Sequence, residues 1–394
     1  MSILIGILGI AVFIGLAFIM SNKKKDINFK AIGIMFVLQL ASAWLLLGTS
    51  VGLKAIDFVA GGVTKIISYG MEGINFVVGG WYDVEQVPFF INVLLIIVFT
   101  SALLSVLTHL RILPFMIKYV GGLLSKITGL PRVESFNAVN SIFFGQSESI
   151  LAVKSQLNNL NNNRLFIVSV SAMASVSASI VGAYMTMLPA KYVLVAMVLN
   201  MFSALIIASI VAPVGKDFVD EEIEMKDLVQ TKNIFEAIGN GALDGGKVAL
   251  IVSAMLVAYI GLLALINGVM TSLIGIDLNT ILGYAFSPIA LLMGVPMAEV
   301  VQAGGIMGTK ILANEFVAIM QLQPLLDALS ERTVGILSTF LISFGAFGSI
   351  GIIAGSMQAI NGAKAKVVNA FGLKMLAVAT MASMLSATIV GLFL

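Results

Sequence analysis

The chain has 394 residues, of which 59% are hydrophobic and only 11% charged, and its formal net charge is +2. Soluble domains carry about 25% charged residues, so these few charges cannot cover a water-facing surface and most of the chain must be solvated by lipid. Cysteine is absent and His109 is the single histidine. That excludes disulfides and thiolate metal sites, and leaves Ser-His, Cys-His and His-zinc chemistry almost without material. The charges sit in short loops rather than in one basic patch, so nothing points to nucleic acid.

A membrane-spanning helix needs roughly 20 apolar residues. Segments 2–20, 31–52, 87–110, 165–188, 191–213, 247–270, 333–357 and 367–394 qualify, which predicts an all-α integral membrane protein with eight transmembrane helices. The first segment is apolar from its start and lacks a charged leader and a small-residue cleavage site, so it reads as a retained helix rather than a signal peptide. Lys23, Lys24 and Lys25 follow it and place that end in the cytoplasm. Alternation then brings Arg111, Lys118, Lys126, Arg132, the 214–232 loop and a Lys364/Lys366 turn to the same side. The acidic run Asp217, Asp220, Glu221, Glu222, Glu224 and Asp227 reads as solvated loop.

Within residues 112–127, Ile112, Phe115, Met116, Tyr119, Val120, Leu123, Leu124 and Ile127 recur at helical spacing, with Lys118 and Lys126 off the stripe. This predicts an amphipathic helix lying in the membrane interface. Residues 53–69 and 278–294 carry a similar, less regular pattern.

Residues 133–144 mix Glu134, Ser135, Asn137, Asn140 and Ser141 with apolar residues and cannot face lipid. The polar tip Gly145-Gln146-Ser147-Glu148 and a short return arm ending at Lys154 follow. Arms of about 10–12 residues reach roughly 15–18 Å, half a bilayer, so a re-entrant hairpin is expected. A second one follows Pro296, with Glu299, Gln302, several glycines and then Ala313-Asn314-Glu315-Phe316. Each hairpin precedes an apolar segment interrupted by small residues, Ala174 to Ile180 in the first case and Phe344 to Ile350 in the second. The inside/outside alternation brings the two hairpins in from opposite faces, as inverted repeats. That is the architecture of secondary transporters. Carboxylates at mid-membrane are functional candidates by default, here Glu148 and Glu315. With Gln146, Ser147 and Asn314 they suit a hydroxylated, nitrogen-rich solute. The same polar groups could instead bond one another and glue the hairpins together. Ile180 and Phe344 beside the breaks fit a ring, or ordinary helix packing. Lys310 and Lys374 lie in or near apolar segments and receive no assignment. A membrane-embedded enzyme lacks a catalytic pair or metal cluster, and a channel would favour an open polar pore over one acid per tip.

At these residues the chain resembles the concentrative nucleoside transporter family, in particular its bacterial branch without extra N-terminal helices. The likeness runs over essentially the whole chain. It is carried most specifically by Gly145-Gln146-Ser147-Glu148, Val181-Gly182-Ala183-Tyr184-Met185, Asn314-Glu315-Phe316-Val317-Ala318 and Ser349-Ile350-Gly351-Ile352. The resemblance implies a homotrimer in the cell membrane that moves its substrate by an elevator mechanism. It divides the chain into scaffold helices (1–110), an interfacial helix (111–131), transport repeat 1 (132–213), a cytoplasmic loop with the sixth, scaffold helix (214–277), an interfacial helix (278–295) and transport repeat 2 (296–394).

The resemblance also implies residue roles. Gln146 and Glu148 would contact the nucleobase, with Ser147 where the family often has Thr. Ile180 would pack on the base and Glu315 would hold the ribose hydroxyls beside Asn314. Phe344 and Ser349 would line the second break. Ser141, Phe144, Ser175 and Val176 would form a cation site. Two positions depart from the family pattern. Ala346 stands where Asn is usual for ribose, and Ser141 where sodium-coupled members have Asn. The expectation is therefore symport of nucleosides with H+. Na+ coupling, or another polar solute on the same fold, are the alternatives, and no organic cofactor or resident metal is expected.

Overall fold

The computed structural model describes residues 2–81, 87–215, 223, 229 and 231–394. The acidic run from Asp217 to Asp227 lies outside the described residues. Every regular element among the described residues is helical. Helices α1 (Ser2–Ile19) and α2 (Phe29–Gly48) are the first two predicted spans. The 53–69 element is far longer than its apolar pattern: α3 runs Ser50–Val78. It contains no proline, and the Thr49 side chain caps it by accepting from the Gly52 amide, so glycines and charges that blur the pattern do not end it. A wide π-type turn at Phe90–Leu94 leads into α4 (Ile96–His109).

Helix α5 (Ile112–Thr128) is the expected amphipathic element. Of its eight stripe residues only Leu124 is buried; the other seven are exposed, a continuous apolar face where lipid belongs. The first hairpin is α6 (Arg132–Phe143) and α7 (Gln146–Leu151). The first broken helix is α8 (Asn162–Met173) and α9 (Ala178–Met185), followed by α10 (Ala190–Val211). Helix α11 (Ile234–Ile274) is 41 residues long and starts well before the expected 247. At about 60 Å it is twice the hydrocarbon thickness, so it must tilt or project into water. Its Gly241 and Gly245 lie on the backbone of α4: an added Cβ would stand 2.7 Å from the Cα of Ala102 and 2.6 Å from the carbonyl of Ile97.

Helix α12 (Leu278–Leu292) fills the 278–294 segment. The second hairpin is α13 (Val300–Leu312) and α14 (Glu315–Leu322), and the second broken helix is α15 (Glu331–Leu341) and α16 (Phe347–Ile360). The expected Lys364/Lys366 turn is itself helical, α17 (Gly362–Ala370), capped by Asn361 accepting from Ala363 and Lys364 amides. Helix α18 (Gly372–Leu392) closes the chain. Seven described helical stretches are long and apolar enough to cross a membrane; the eighth predicted crossing, 333–357, exists as the two half-helices α15 and α16.

Burial separates two groups. The Asn162–Met185 and Gly372–Leu392 stretches are 89% buried and Ala190–Val211 is 83% buried, against 28% for α1 and α2 and 11% for α11. The repeats therefore form the protein interior, and the remaining helices expose apolar surface. Matched helices keep one register: Gln146 and Glu315, Asn162 and Glu331, and Ala178 and Phe347 each begin a pair 169 residues apart. Three crossings separate the hairpins (α8/α9, α10 and α11), an odd number, so they enter from opposite faces. The same register shows that the two acids are not counterparts. Glu315 matches Gln146, and Glu148 sits two residues further into its helix.

Candidate functional site

The two breaks meet. The Phe344 amide donates to the Ser175 carbonyl at 3.0 Å, joining the unwound segments of the two broken helices. Four half-helix N-termini (α7, α9, α14 and α16) start close to this crossing. Their first amides lack intrahelical partners and carry positive partial charge. Side chains cap two of them: Ser177 accepts from the Ser179 amide, and Asn314 from the Val317 amide at 3.0 Å. Half of the Asn314 amide therefore serves the fold.

A cavity of about 320 Å³ lies against the crossing. Gln146, Ser147, Glu148, Ile180, Asn314, Glu315, Phe344 and Ser349, the eight residues expected to bind substrate, all line it. Its size falls at the lower end of the roughly 300–1,000 Å³ of small-molecule sites. Val248, Ile251, Val252 and Met255 form an apolar wall on one face of α11. The sequence reading missed this wall, since an apolar face of an apolar helix carries no contrast. It also missed Ser177, Ser179 and Tyr184. Ser177 and Ser179 share a 2.7 Å hydroxyl contact, and the Tyr184 hydroxyl donates to Glu315 at 2.9 Å. The signal was present in the Val181–Met185 stretch, where one tyrosine interrupts small and aliphatic residues.

Gln146 donates its amide to the Ser349 hydroxyl at 3.0 Å, and Ser349 donates to the Phe344 carbonyl. The Gln146 carbonyl oxygen is buried without a protein partner. A bound solute can supply the donor it lacks. Ser147 accepts from Ser356 at 2.8 Å. Glu148 is exposed in the cavity, whereas Glu315 is buried. At Gly145 a Cβ would stand 2.7 Å from a Glu148 carboxylate oxygen, so this glycine lets the carboxylate fold over the tip.

The expected cation residues do not line this cavity, and their bonds go to neighbours on their own chain segments. The Ser141 hydroxyl donates to the Ala138 carbonyl at 2.9 Å and that of Ser175 to Ala172 at 3.3 Å. The Phe144 carbonyl accepts from Ser149, and Val176 is buried next to Ser175. A second cavity, about 330 Å³, shares Gly145, Glu148, Ser177 and Ser179 with the first and extends past Phe144 to Asn240 and Asp244 on α11. Asn140 also lines it, with neither amide atom paired in the structure.

Three family profiles together span nearly the whole chain. They are described as "Na+ dependent nucleoside transporter N-terminus" (residues 8–81), "Nucleoside recognition" (90–191) and "Na+ dependent nucleoside transporter C-terminus" (192–391). The chain is 36% identical over 395 residues to the purine nucleoside transport protein NupG of Bacillus subtilis (strain 168), with both proteins fully covered. It belongs to the concentrative nucleoside transporter family. It is thus a nucleoside transporter and a membrane protein, not an enzyme. The nucleoside permease NupC of Helicobacter pylori is a further relative, 35% identical over 415 residues, covering all of this chain and 98% of its own. Among solved structures, that of CNTnw in an inward-facing substrate-bound state matches with a TM-score of 0.95 and 31% identity, over 100% of this chain and 99% of the other.

Within this transporter, Ala346 is the departure that the geometry makes testable. It is the N-cap of α16, extended at φ −143° and ψ 163°, and it makes no side-chain cap. It also lines the cavity. Ala346→Asn should therefore cap α16 and add about 1 kcal/mol of stability. It should also lower the KM for nucleosides by several-fold, with no such gain for their 3′-deoxy analogues. Melting curves and competition uptake measure the two effects, and equal gains for both sugars would refute a ribose contact at this position.

Proposed function

We propose that this transporter carries nucleosides into the cell by symport with protons, as a homotrimer in the cell membrane whose repeat domain moves like an elevator against the scaffold helices. The observation that carries the substrate reading is the single cavity that gathers all eight expected residues. The unpaired Gln146 carbonyl and the Glu148 and Glu315 carboxylates offer acceptors, and Ile180, Phe344 and the α11 face supply apolar walls. An aromatic base with a hydroxylated sugar matches that distribution. Hydroxyls of the substrate would donate to Glu315 and amino or imino groups of the base to Gln146 and Glu148.

Proton coupling is supported by the hydroxyls of Ser141 and Ser175, which are turned onto their own helices. Position 141 offers a sodium ion a hydroxyl oxygen where sodium-coupled members have the stronger amide oxygen of Asn. The acids in the cavity can carry a proton without any such ligand. The division into a buried repeat domain and lipid-exposed helices supports an elevator. Purine nucleosides head the substrate panel, since the B. subtilis relative is described as a purine nucleoside transport protein.

In proteoliposomes, an inward proton gradient should drive accumulation of radiolabelled adenosine or uridine, and replacing sodium by choline should leave the rate unchanged. Uptake that follows the sodium gradient alone would reverse the coupling assignment. Absence of uptake under both gradients would remove nucleosides as the substrate of this chain.

A further inference from the structure

Lys310 is fully buried, three residues before the tip of the second hairpin. Its ammonium donates to the Phe340 carbonyl and, at 2.6 Å, to the Ser343 hydroxyl, and it stands 4.1 Å from the centroid of the Phe340 ring. Ser343 is in turn 2.7 Å from the Ser383 hydroxyl of α18. Burying an ammonium costs several kcal/mol, and a methionine would fill the same volume without that cost. The charge therefore needs an account beyond packing. Its surroundings are those of a bound cation. Phe340 lies in the last turn of α15, where carbonyls lack intrahelical partners and carry negative partial charge. Glu315 opens α14 on the far side of the same hairpin tip.

The 169-residue register gives this arrangement a counterpart. It maps Ser141 onto Lys310, Phe144 onto Ala313, Ser175 onto Phe344 and Val176 onto Gly345. These are the four residues expected to hold a dissociable cation in the first repeat. In both repeats the first of them lies on the inbound hairpin arm and the last two in the break.

We propose that Lys310 is a tethered cation: its ammonium permanently occupies, in the second repeat, the place that a dissociable cation would take in the first, and it holds the second break unwound. It is a positioning residue, since it reaches substrate only through the break. The symmetric scaffold then carries a fixed cation in its second repeat where the first repeat has only the Ser141 hydroxyl, and the second hairpin keeps its geometry through the whole cycle.

Chemical rescue tests this. Lys310→Ala should lower nucleoside uptake about tenfold or more, the size expected for losing one charge-assisted hydrogen-bonded group. It should also lower the melting temperature of the detergent-purified protein. Methylammonium, which restores the lost ammonium, should recover part of both in Lys310→Ala. It should do nothing for wild type or for Lys310→Met, and choline, too large for the gap, should rescue neither variant. Wild-type uptake by Lys310→Met, or a folded Lys310→Ala that methylammonium neither stabilises nor reactivates, would overturn the proposal. If Lys310→Ala does not fold, Lys310→Gln decides: it keeps a donor without the charge, so uptake within twofold of wild type overturns the tethered cation, and a folded but inactive protein supports it. The uptake arm rests on the nucleoside reading. Should wild type transport no nucleoside, that reading fails by itself and the melting arm still decides the role of Lys310.

Discussion

Glu315→Gln is expected to lower nucleoside uptake roughly 100-fold while the protein remains folded. The substitution keeps the shape of the side chain and leaves an oxygen to accept from Tyr184, which donates at 2.9 Å in the native site. What it removes is the charge. A hydrogen bond to a charged group contributes about 1.5–3 kcal/mol, and each 1.4 kcal/mol is tenfold, so losing the charge toward a pair of sugar hydroxyls accounts for about two orders of magnitude. The packing that holds α14, with Phe316 buried and its ring 5.0 Å from that of Tyr184, is untouched. Uptake in proteoliposomes and a melting curve on the same preparation separate the two contributions. Near-native uptake by this variant would show that Glu315 serves the structure alone.

The order of elements was legible because lipid imposes a length rule. A stretch of about 20 apolar residues crosses, one of half that length with polar residues cannot, and two such half-lengths around a polar tip must turn back. That argument found both hairpins and both breaks, and every residue expected to line the substrate cavity does so. It failed where polarity has no contrast. The α11 face bearing Val248, Val252 and Met255 is one apolar side among others, and nothing local marks it as a cavity wall. Helix α3 runs Ser50–Val78, past the 53–69 pattern at both ends; Glu72 and the glycines around it interrupt the apolar pattern without stopping the helix. With one acid per tip, Glu148 and Glu315 look equivalent in the sequence, but helix starts fix the register and set Glu315 against Gln146. The tips are therefore chemically asymmetric, with an amide at the position where the other carries a carboxylate. An asymmetric solute, a base on one side and a sugar on the other, requires such a difference from an otherwise symmetric scaffold.

The same asymmetry governs how each hairpin is fastened, and it leads to the largest expected stability effect. In the first repeat, Arg164 at the start of α8 holds Glu134 of α6 through two bonds, 2.6 and 3.0 Å, and both side chains are almost fully buried. The register places Thr333 opposite Arg164. In the second repeat Thr333 and Ser330 donate to Glu299, with the Ser330 amide at 3.0 Å and its hydroxyl at 2.7 Å. One hairpin is thus anchored by an ion pair and the other by neutral donors. Removing one member of a buried pair strands the other charge and costs about 3–5 kcal/mol, whereas replacing both by apolar residues of similar volume is often neutral. Glu134→Leu and Arg164→Met should each lower the melting temperature severely, and the double variant should recover most of the loss. Thr333→Ala, which leaves Glu299 with the Ser330 donors, should cost about 1–2 kcal/mol. A double variant as unstable as the sum of its parts would mean that the two side chains are not coupled, and would refute the stranded charge as the cause of the single-variant losses. Because neither side chain lines the substrate cavity, a double variant that regains stability should also regain transport in proteoliposomes.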